Sequence, residues 1–422
     1  MGGFISLLAR IWKISNPPEP PKDRDALRFG ILGTPWTGSP SFITPAKSHP
    51  GVIVAAVASR DLNRAKAYAK KFNIPNVHDS YQALLDDPTI DAIYIALPNG
   101  LHYEWTLRAL KARKHVLLEK PSVSNATEAA SLFAYHASLP EASRPVLLEA
   151  FHFRFHPAWH KFLSLVTSPE NIESVTARFT VQAGFFPRGD IRWDFELAGG
   201  SFMDIGTYAI AALRGIFRTE PVECISAMPG LLPKPGDQRI DTRFTAEFKF
   251  PHGGIGSIEA DLARKTWFGL PSIKMPKIVV KYRDVEIDDE ARAFGPPKHV
   301  MSKTVTFWGF PLAHFWHRIQ VRERHVWLAS GTEKVVERRE GKRNFTTYFW
   351  DGEGEEEEKK KKGDLHWSTY RYMLDEFVCR IRGEEGTGAW VSGEDSVKQM
   401  EVIDSGYVKA GLPLRPTSTY KP

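Results

Sequence analysis

The 422-residue chain reads as two domains, a doubly wound parallel α/β domain followed by an α+β domain built on a mostly antiparallel open sheet. Three observations predict this. Between Leu27 and Ala150, short apolar β-branched runs alternate with amphipathic helical stretches, the pattern of a parallel sheet covered on both faces. The first such run enters a glycine-punctuated turn at Gly33–Gly38. After Pro157 the punctuation changes to strand-like segments separated by Gly and Pro, which suits antiparallel neighbours.

Residues 1–26 read as an N-terminal arm and a Pro-rich linker, 27–152 as the first domain and 153–422 as the second. In the first domain Arg28–Leu32, Val52–Ala58, Asp91–Ala96, His115–Leu118 and Val146–Leu148 are the expected strands. Helical patterns lie between them at Asp61–Phe72, Tyr81–Leu85, Leu101–Ala112 and Asn125–Ala137. Right-handed crossovers turn this alternation into a Rossmann-type sheet. In the second domain Ser174–Val181, Thr242–Phe250, Gly254–Leu262 and Lys277–Tyr282 read as strands. Gly199–Phe217 reads as a helix near the domain junction. Two helices, Ser368–Arg382 and Glu394–Ala410, close the chain, so 368–410 can pack back on the first domain. Within the charged insertion 351–364, Glu355–Glu358 precede Lys359–Lys362 at i,i+4 spacing, which suits a solvated surface turn.

Composition excludes several classes. Hydrophobic residues at 42% and charged residues at 25% are ordinary for a globular protein. The net charge of +6 comes from 56 basic and 50 acidic residues mixed along the chain. Nucleic-acid binding needs them gathered on one face, so no nucleic-acid partner is expected. Cys224 and Cys379 are too few for a disulfide framework or a Cys-rich zinc site. No metal site is expected, and a reducing, cytoplasmic setting is. No apolar run reaches the ~18 residues of a membrane-spanning helix. Phe4, Ile5, Leu7, Leu8, Ile11 and Trp12 form a helical stripe with Arg10 and Lys13 off it, and Gly2 with Ser6 fits an N-myristoylation pattern. An arm packed on the body, a membrane-surface contact and a cleaved targeting peptide are the three readings of this segment.

The residues that carry chemistry sit at strand ends. The first strand leads into Gly33-Thr34-Pro35-Trp36-Thr37-Gly38, a G-x-G-x-x-G turn with proline in its middle glycine position. Such a turn brings backbone N–H groups and a helix N-terminus to a pyrophosphate, although proline removes one donor. The second strand ends at Ser59-Arg60-Asp61. A hydroxyl and a guanidinium there favour a ribose 2′-phosphate, hence NADP over NAD, while Ser59 or Asp61 can also cap the next helix. Pro98, Asn99 and His102 follow the Asp91–Ala96 strand, and Glu119-Lys120-Pro121 follows the His115–Leu118 strand on the same rim. Ligands of open α/β sheets bind at that rim.

These motifs, with Ala109-Leu110 and Lys114-His115-Val116, resemble the glucose–fructose oxidoreductase / inositol dehydrogenase / rhizopine catabolism (Gfo/Idh/MocA) family. Glu149–Pro157 and Gly199–Tyr208 are similar to its branch of dimeric dihydrodiol dehydrogenases and NADP-dependent D-xylose 1-dehydrogenases. The resemblance covers about Leu27–Gly269 and Trp367–Pro416. It implies an NADP-dependent enzyme, with NAD as the alternative cofactor, that moves hydride from a hydroxyl-bearing carbon of a small sugar, polyol or trans-dihydrodiol. Gly33, Thr34, Gly38, Ser59, Arg60, Pro98, Asn99, His102, Glu119 and Lys120 would hold the cofactor. Lys120 would also be catalytic, Tyr208 the general acid/base and Asp204 their orienter. His152, Arg154 and Asp204 would face the substrate, with His152 as pocket wall. Tyrosine titrates near 10, and a cation within ~4–6 Å lowers that by about 1–3 pH units, the service expected of Lys120. A homodimer through the second domain's sheet is also implied. Trp36 can stack over the cofactor or block it. A non-catalytic dinucleotide-binding regulator and a tailoring oxidoreductase for larger natural products remain as alternatives.

Overall fold

The computed structural model describes residues 2–265, 274–287, 298–329, 333–350 and 362–421. The charged run at 351–361 lies outside them. In the first domain the strands are β1 (Leu27–Leu32), β2 (Val52–Ala58), β3 (Asn76–His78), β4 (Ala92–Ile95), β5 (His115–Leu118) and β6 (Leu147–Glu149). They form one parallel six-stranded sheet in the order β3-β2-β1-β4-β5-β6. The order reverses at β1, which opens a crevice beyond the carboxyl ends of β1 and β4. The arm is α1 (Gly2–Ser15), and the domain's other helices are α2 (Thr44–Lys47), α3 (Leu62–Phe72), α4 (Tyr81–Asp86), α5 (His102–Lys111) and α6 (Ala126–Ser138). Phe29, Ile31, Val57, Ile93 and Val116 are fully buried, because a sheet with helices on both faces has no solvent side. Helix starts follow capping chemistry: Asp61 accepts from Asn63 N and Arg64 N, and Ser80 and Asn125 cap α4 and α6 in the same way.

After α7 (Pro157–Leu165) the second domain is organised on a nine-stranded sheet. Its strands are β7 (Ile172–Gln182), β8 (Glu223–Leu231), β9 (Asp241–Lys249), β10 (Ile255–Arg264), β11 (Lys277–Tyr282), β12 (Val285–Ile287), β13 (Lys298–Trp308), β14 (Arg318–Leu328) and β15 (Val335–Phe345). The order is β15-β14-β13-β11-β7-β10-β9-β8, with β12 added on β13, and only the β10–β7 pair is parallel. Between β7 and β8, α8 (Thr207–Phe217) packs on β7 and β10. A turn of π-helix, Phe202–Gly206, leads into it. The closing helices α9 (Thr369–Arg382) and α10 (Gly393–Lys409) touch both domains: α9 meets α2, and α10 meets α6 and α8. Asp404 accepts from Ala126 N at 2.8 Å and Asn125 Nδ2 donates to Arg415 O at 2.9 Å. These ties join the domains around the crevice.

The arm docks by the side that the apolar stripe does not predict. Arg10 and Ile14 are buried, with the Arg10 guanidinium 3.4 Å from the centre of the Tyr348 ring and its Nε donating to His314 O. Leu8 and Trp12 face outward at 50% and 65% exposure. A cation on an aromatic face, with a carbonyl to accept its Nε–H, offsets part of the cost of burying the guanidinium, whose Nη2 has no hydrogen-bond partner among the described residues. Among the described residues no helix is long and apolar enough to cross a membrane.

Candidate active site

One cavity of about 910 Å³ runs along the crevice from the glycine turn to α8. At one end Gly33 has φ +99, and a Cβ there would approach Ala96 O to 3.2 Å, so only glycine lets the chain leave β1 at this angle. Thr34, Pro35, Trp36 and Thr37 line the cavity, and the amides of Thr34, Trp36 and Thr37 have no acceptor among the described residues. Pro35 removes one N–H, and three free donors remain. Gly38 serves packing instead: it lies outside the lining, and a Cβ there would strike the Tyr68 hydroxyl at 2.2 Å. Trp36 is 62% exposed, with its ring centre 5.9 Å from Phe185 and 6.4 Å from Phe186. It roofs the mouth of the cavity against the second domain and does not fill it.

Beyond β2, Ser59, Arg60 and Asp61 line the same end, joined by Arg64 and Tyr81. Asp61 is engaged with the start of α3, and its own N–H donates to Ser59 Oγ at 3.3 Å. The Tyr81 phenol lies beside Arg60, whose charge opposes the rise in its pKa that burial imposes. Neither Arg60 nor Arg64 has a carboxylate partner among the described residues, so both face the cavity as unneutralised cations. Three free amides, a glycine with no room for a side chain and two free guanidinia fit a dinucleotide carrying a ribose phosphate. Arg64 was not anticipated from sequence, although it lies one helical turn beyond Arg60.

In the middle, Pro98 and Asn99 line the cavity, and Asn99 Nδ2 donates to Ala198 O at 3.0 Å across the domain junction. The structure does not bring His102 there. Its fully buried ring lies within hydrogen-bonding distance of Leu97 O (2.8 Å) and Pro121 O (3.0 Å), pinning together the loops that carry Asn99 and Lys120. Burial lowers its pKa to about 4. Glu119 reaches the cavity but is spoken for: it accepts from Tyr94 Oη at 2.5 Å and from Lys120 N at 3.2 Å. Burial pushes its carboxyl up despite the Lys120 charge.

The far end holds the residues with catalytic potential. Lys120 Nζ donates to Asp204 O at 2.7 Å and to Asp204 Oδ1 at 2.9 Å, and lies 4.9 Å from the centre of the Tyr208 ring. The π-helical turn presents both the carbonyl and the carboxylate of Asp204 to one ammonium, while Tyr208 follows in the first turn of α8. Arg192 Nε donates to Asp204 Oδ2 at 2.6 Å and pairs with Asp190 at 3.0 Å. Burial would raise the Asp204 carboxyl, but Lys120 and then Arg192 hold it well below the usual carboxylate range. The four charges balance.

This balance corrects the expectation for Tyr208. Its pKa lies well above 10, through burial first and then the neighbouring Tyr370, Glu119 and Asp204. The Lys120 charge is offset by Asp204 and does not depress it. Tyr208 is 5% exposed and protonated, with its Oη 2.9 Å from His152 Nε2. His152 therefore stands behind Tyr208, fully buried, and is not a wall of the cavity. Arg154 is also turned away, ion-paired with Asp395 at the start of α10. Asp395 also pairs with Arg214, at 2.7 Å, so Arg154 belongs to a charge cluster outside the cavity. Arg192 and Tyr370, like Arg64, line the cavity and were missed by sequence reasoning. Phe179, Val181, Phe185 and Phe186 complete an apolar wall beside the charged cluster.

Known proteins resemble the chain across both domains. Residues 27–142 match the model described as oxidoreductase family, NAD-binding Rossmann fold, and residues 170–269 match the GFO/IDH/MocA C-terminal domain. The chain is 40% identical to D-xylose 1-dehydrogenase (NADP(+)) 2 of Haloferax volcanii over 56% of its own length and 69% of that protein's. It is 31% identical to trans-1,2-dihydrobenzene-1,2-diol dehydrogenase of Mus musculus over 67% of its length and 83% of that protein's. An Actinomadura kijaniata dTDP-3,4-didehydro-2,6-dideoxy-alpha-D-glucose 3-reductase aligns at 34% over 61% of its length. The solved 3-ketoreductase of that organism, in complex with NADP and TDP-benzene, superposes with a TM-score of 0.66 at 21% identity, covering 91% of this chain and 98% of that one. By the motifs at the crevice, both matched domains and the extent of these similarities, the chain belongs to the Gfo/Idh/MocA oxidoreductase family.

Proposed function

We propose that the protein is an NADP-dependent oxidoreductase that interconverts a hydroxyl-bearing carbon and a carbonyl on a small cyclic sugar, polyol or trans-dihydrodiol. One observation carries this reading: Lys120, Asp204 and Tyr208 converge at one end of a cavity whose other end holds the free guanidinia of Arg60 and Arg64. Gly33, Thr34, Ser59, Arg60, Pro98 and Asn99 are the proposed cofactor contacts, with Arg64 added. Bound NADP supplies or accepts the hydride.

The chain's own residues divide the rest. Two of the three Lys120 N–H bonds are directed at Asp204, leaving one for the substrate oxygen. Tyr208, kept neutral by burial, is equipped to give its proton to that oxygen as a carbonyl is reduced, and to receive one in the reverse direction. Asp204 holds Lys120 in place while Arg192 holds Asp204. The apolar wall of Phe179, Val181 and Phe186 suits a flat ring face, and the polar rim suits its hydroxyls. The named activities of the Haloferax volcanii and mouse relatives support this substrate class. Screening NADP reduction and NADPH oxidation against aldoses, polyols, dihydrodiols and their ketones tests the reading. Turnover with NADP(H) is expected, and binding of neither nicotinamide nucleotide would refute it.

The same reading carries a homodimer formed by the outer face of the nine-stranded sheet. Along β10, Gly256, Ile258, Ala260 and Leu262 are buried inward, while Ser257, Glu259 and Asp261 point to the opposite, partly open face. Light scattering at a dimer mass is the expected result, and a monomer at every concentration would count against it.

A further inference from the structure

Behind Tyr208, on the side away from the cavity, three further groups continue in single file. His152 Nε2 is 2.9 Å from Tyr208 Oη, His152 Nδ1 is 2.8 Å from Thr369 Oγ1, and Thr369 Oγ1 is 3.0 Å from His314 Nδ1. His152 and Thr369 are fully buried and His314 is 3% exposed. His314 lines a second cavity, of about 190 Å³, between the arm and α9, rimmed by the exposed Ser15 and Pro40. Among the described residues nothing is hydrogen-bonded to His314 Nε2, which is the free end of the file. Sequence spacing gives no hint of this file, since its members come from four distant segments.

Every member can both give and accept a proton. A neutral imidazole carries one N–H and one bare nitrogen, and a threonine hydroxyl carries one proton. Thr369 sits between two imidazoles and has one hydrogen, so it donates to one and accepts from the other. The direction of each bond fixes the next, leaving two coherent arrangements: all donating toward Tyr208, or all donating toward the second cavity. Stacking of the His152 ring on Tyr370, at 3.9 Å between centres and 27° between planes, holds the imidazole in line. Burial keeps His152 far below its ordinary pKa and His314 at about 3, so both imidazoles are neutral, as the file requires.

We propose that His152, Thr369 and His314 form a proton relay connecting Tyr208 to solvent through the second cavity, independent of the substrate cleft. The proposal rests on the oxidoreductase reading. In the reductive direction hydride from the reduced nicotinamide forms the new C–H bond, and the Tyr208 O–H proton goes to the substrate oxygen. Tyr208 then takes the His152 Nε2 proton, His152 Nδ1 takes the Thr369 proton, and Thr369 takes the proton from His314 Nδ1. His314 Nε2 takes one from water. Oxidation runs the same transfers backwards, releasing a proton into the second cavity. Tyr208 is thereby recharged while cofactor and substrate still cover its front.

The break point is Thr369→Val, which keeps the shape and removes the carrier, with Thr369→Ser as the conservative control. In NADPH-dependent turnover, Thr369→Val is expected to lower kcat at least about tenfold, with substrate KM and NADPH Kd within about twofold, and to raise the solvent deuterium isotope effect on kcat. Thr369→Ser is expected to restore most of the rate. A Thr369→Val enzyme turning over at the wild-type rate overturns the relay. A second measurement needs no turnover, and so separates failure of the relay from failure of the oxidoreductase reading. In ¹⁵N-histidine-labelled protein, Tyr208→Phe is expected to shift the ring nitrogens of His314 as well as those of His152, and to leave His314 unmoved once Thr369→Val is also present. His314 signals indifferent to Tyr208→Phe in the otherwise native chain would overturn it equally.

Discussion

The ammonium of Lys120 and the ring of Tyr208 lie 4.9 Å apart, yet the tyrosine is not acidified. Distance alone suggests a lowered phenol pKa. The ion pair with Asp204 opposes that effect, because a carboxylate 2.9 Å from the ammonium, against 4.9 Å for the centre of the phenol ring, offsets its field. The arrangement favours a neutral proton donor over a tyrosinate base, the state that the proposed carbonyl reduction requires.

Asp204 is the residue on which this cluster depends. Asp204→Asn leaves Lys120 and Arg192 close together with no charge between them, and a loss of about 3 kcal/mol in unfolding free energy is expected. Because the folded pKa of Asp204 is depressed, its contribution is present above the ordinary carboxyl value of 3.8 and is lost as pH falls through the folded value. Denaturant titrations should therefore show the full difference between variant and native protein at pH 7, shrinking below about pH 4.

Cofactor choice is expected to follow Arg60 and Arg64. Removing either should weaken NADPH binding by about tenfold, roughly 1–2 kcal/mol for a charge-assisted contact, while leaving NADH within about twofold. Fluorescence titration of both nucleotides checks this, and equal losses for the two would remove the 2′-phosphate from the assignment.

Glu149, at the end of β6, is fully buried and its carboxyl is raised to about 7. A carboxyl raised on folding binds its proton more tightly in the native state. Stability is therefore greatest below the unfolded value near 4.5 and falls as pH rises through 7. Glu149→Gln keeps an acceptor for Ser122 N and removes the ionisation. Thermal denaturation should show the variant more stable than the native protein at pH 8, by about 2 kcal/mol, and no more stable at pH 5.

The parallel sheet was legible because its strands are buried on both faces and so are written as unbroken apolar runs such as Val52–Ala58. Lys120 was legible from its place straight after a buried strand at the ligand-binding rim, whereas Asp204 and Tyr208 were legible only through the family pattern, since a helix tyrosine and aspartate have no spacing of their own. Strand β15 escaped notice for a physical reason: Val335–Phe345 is exposed along nearly all its length, so its sequence, VVERREGKRNF, has no buried face to record. Arg192 and Tyr370 could not be read because each owes its role to partners far off in the chain, Asp204 and Tyr208. Arg154 reads as a site residue in sequence, but Asp395, lying 241 residues away, claims it.

Single-turnover oxidation of NADPH by a saturating ketone or ketose, followed through nicotinamide absorbance in the native protein and in Tyr208→Phe, tests the central claim most directly. The predicted result is a hydride-transfer rate at least about 100-fold lower in the variant, with NADPH affinity within about threefold. A variant that transfers hydride at the native rate would contradict the assignment of Tyr208 as the proton donor.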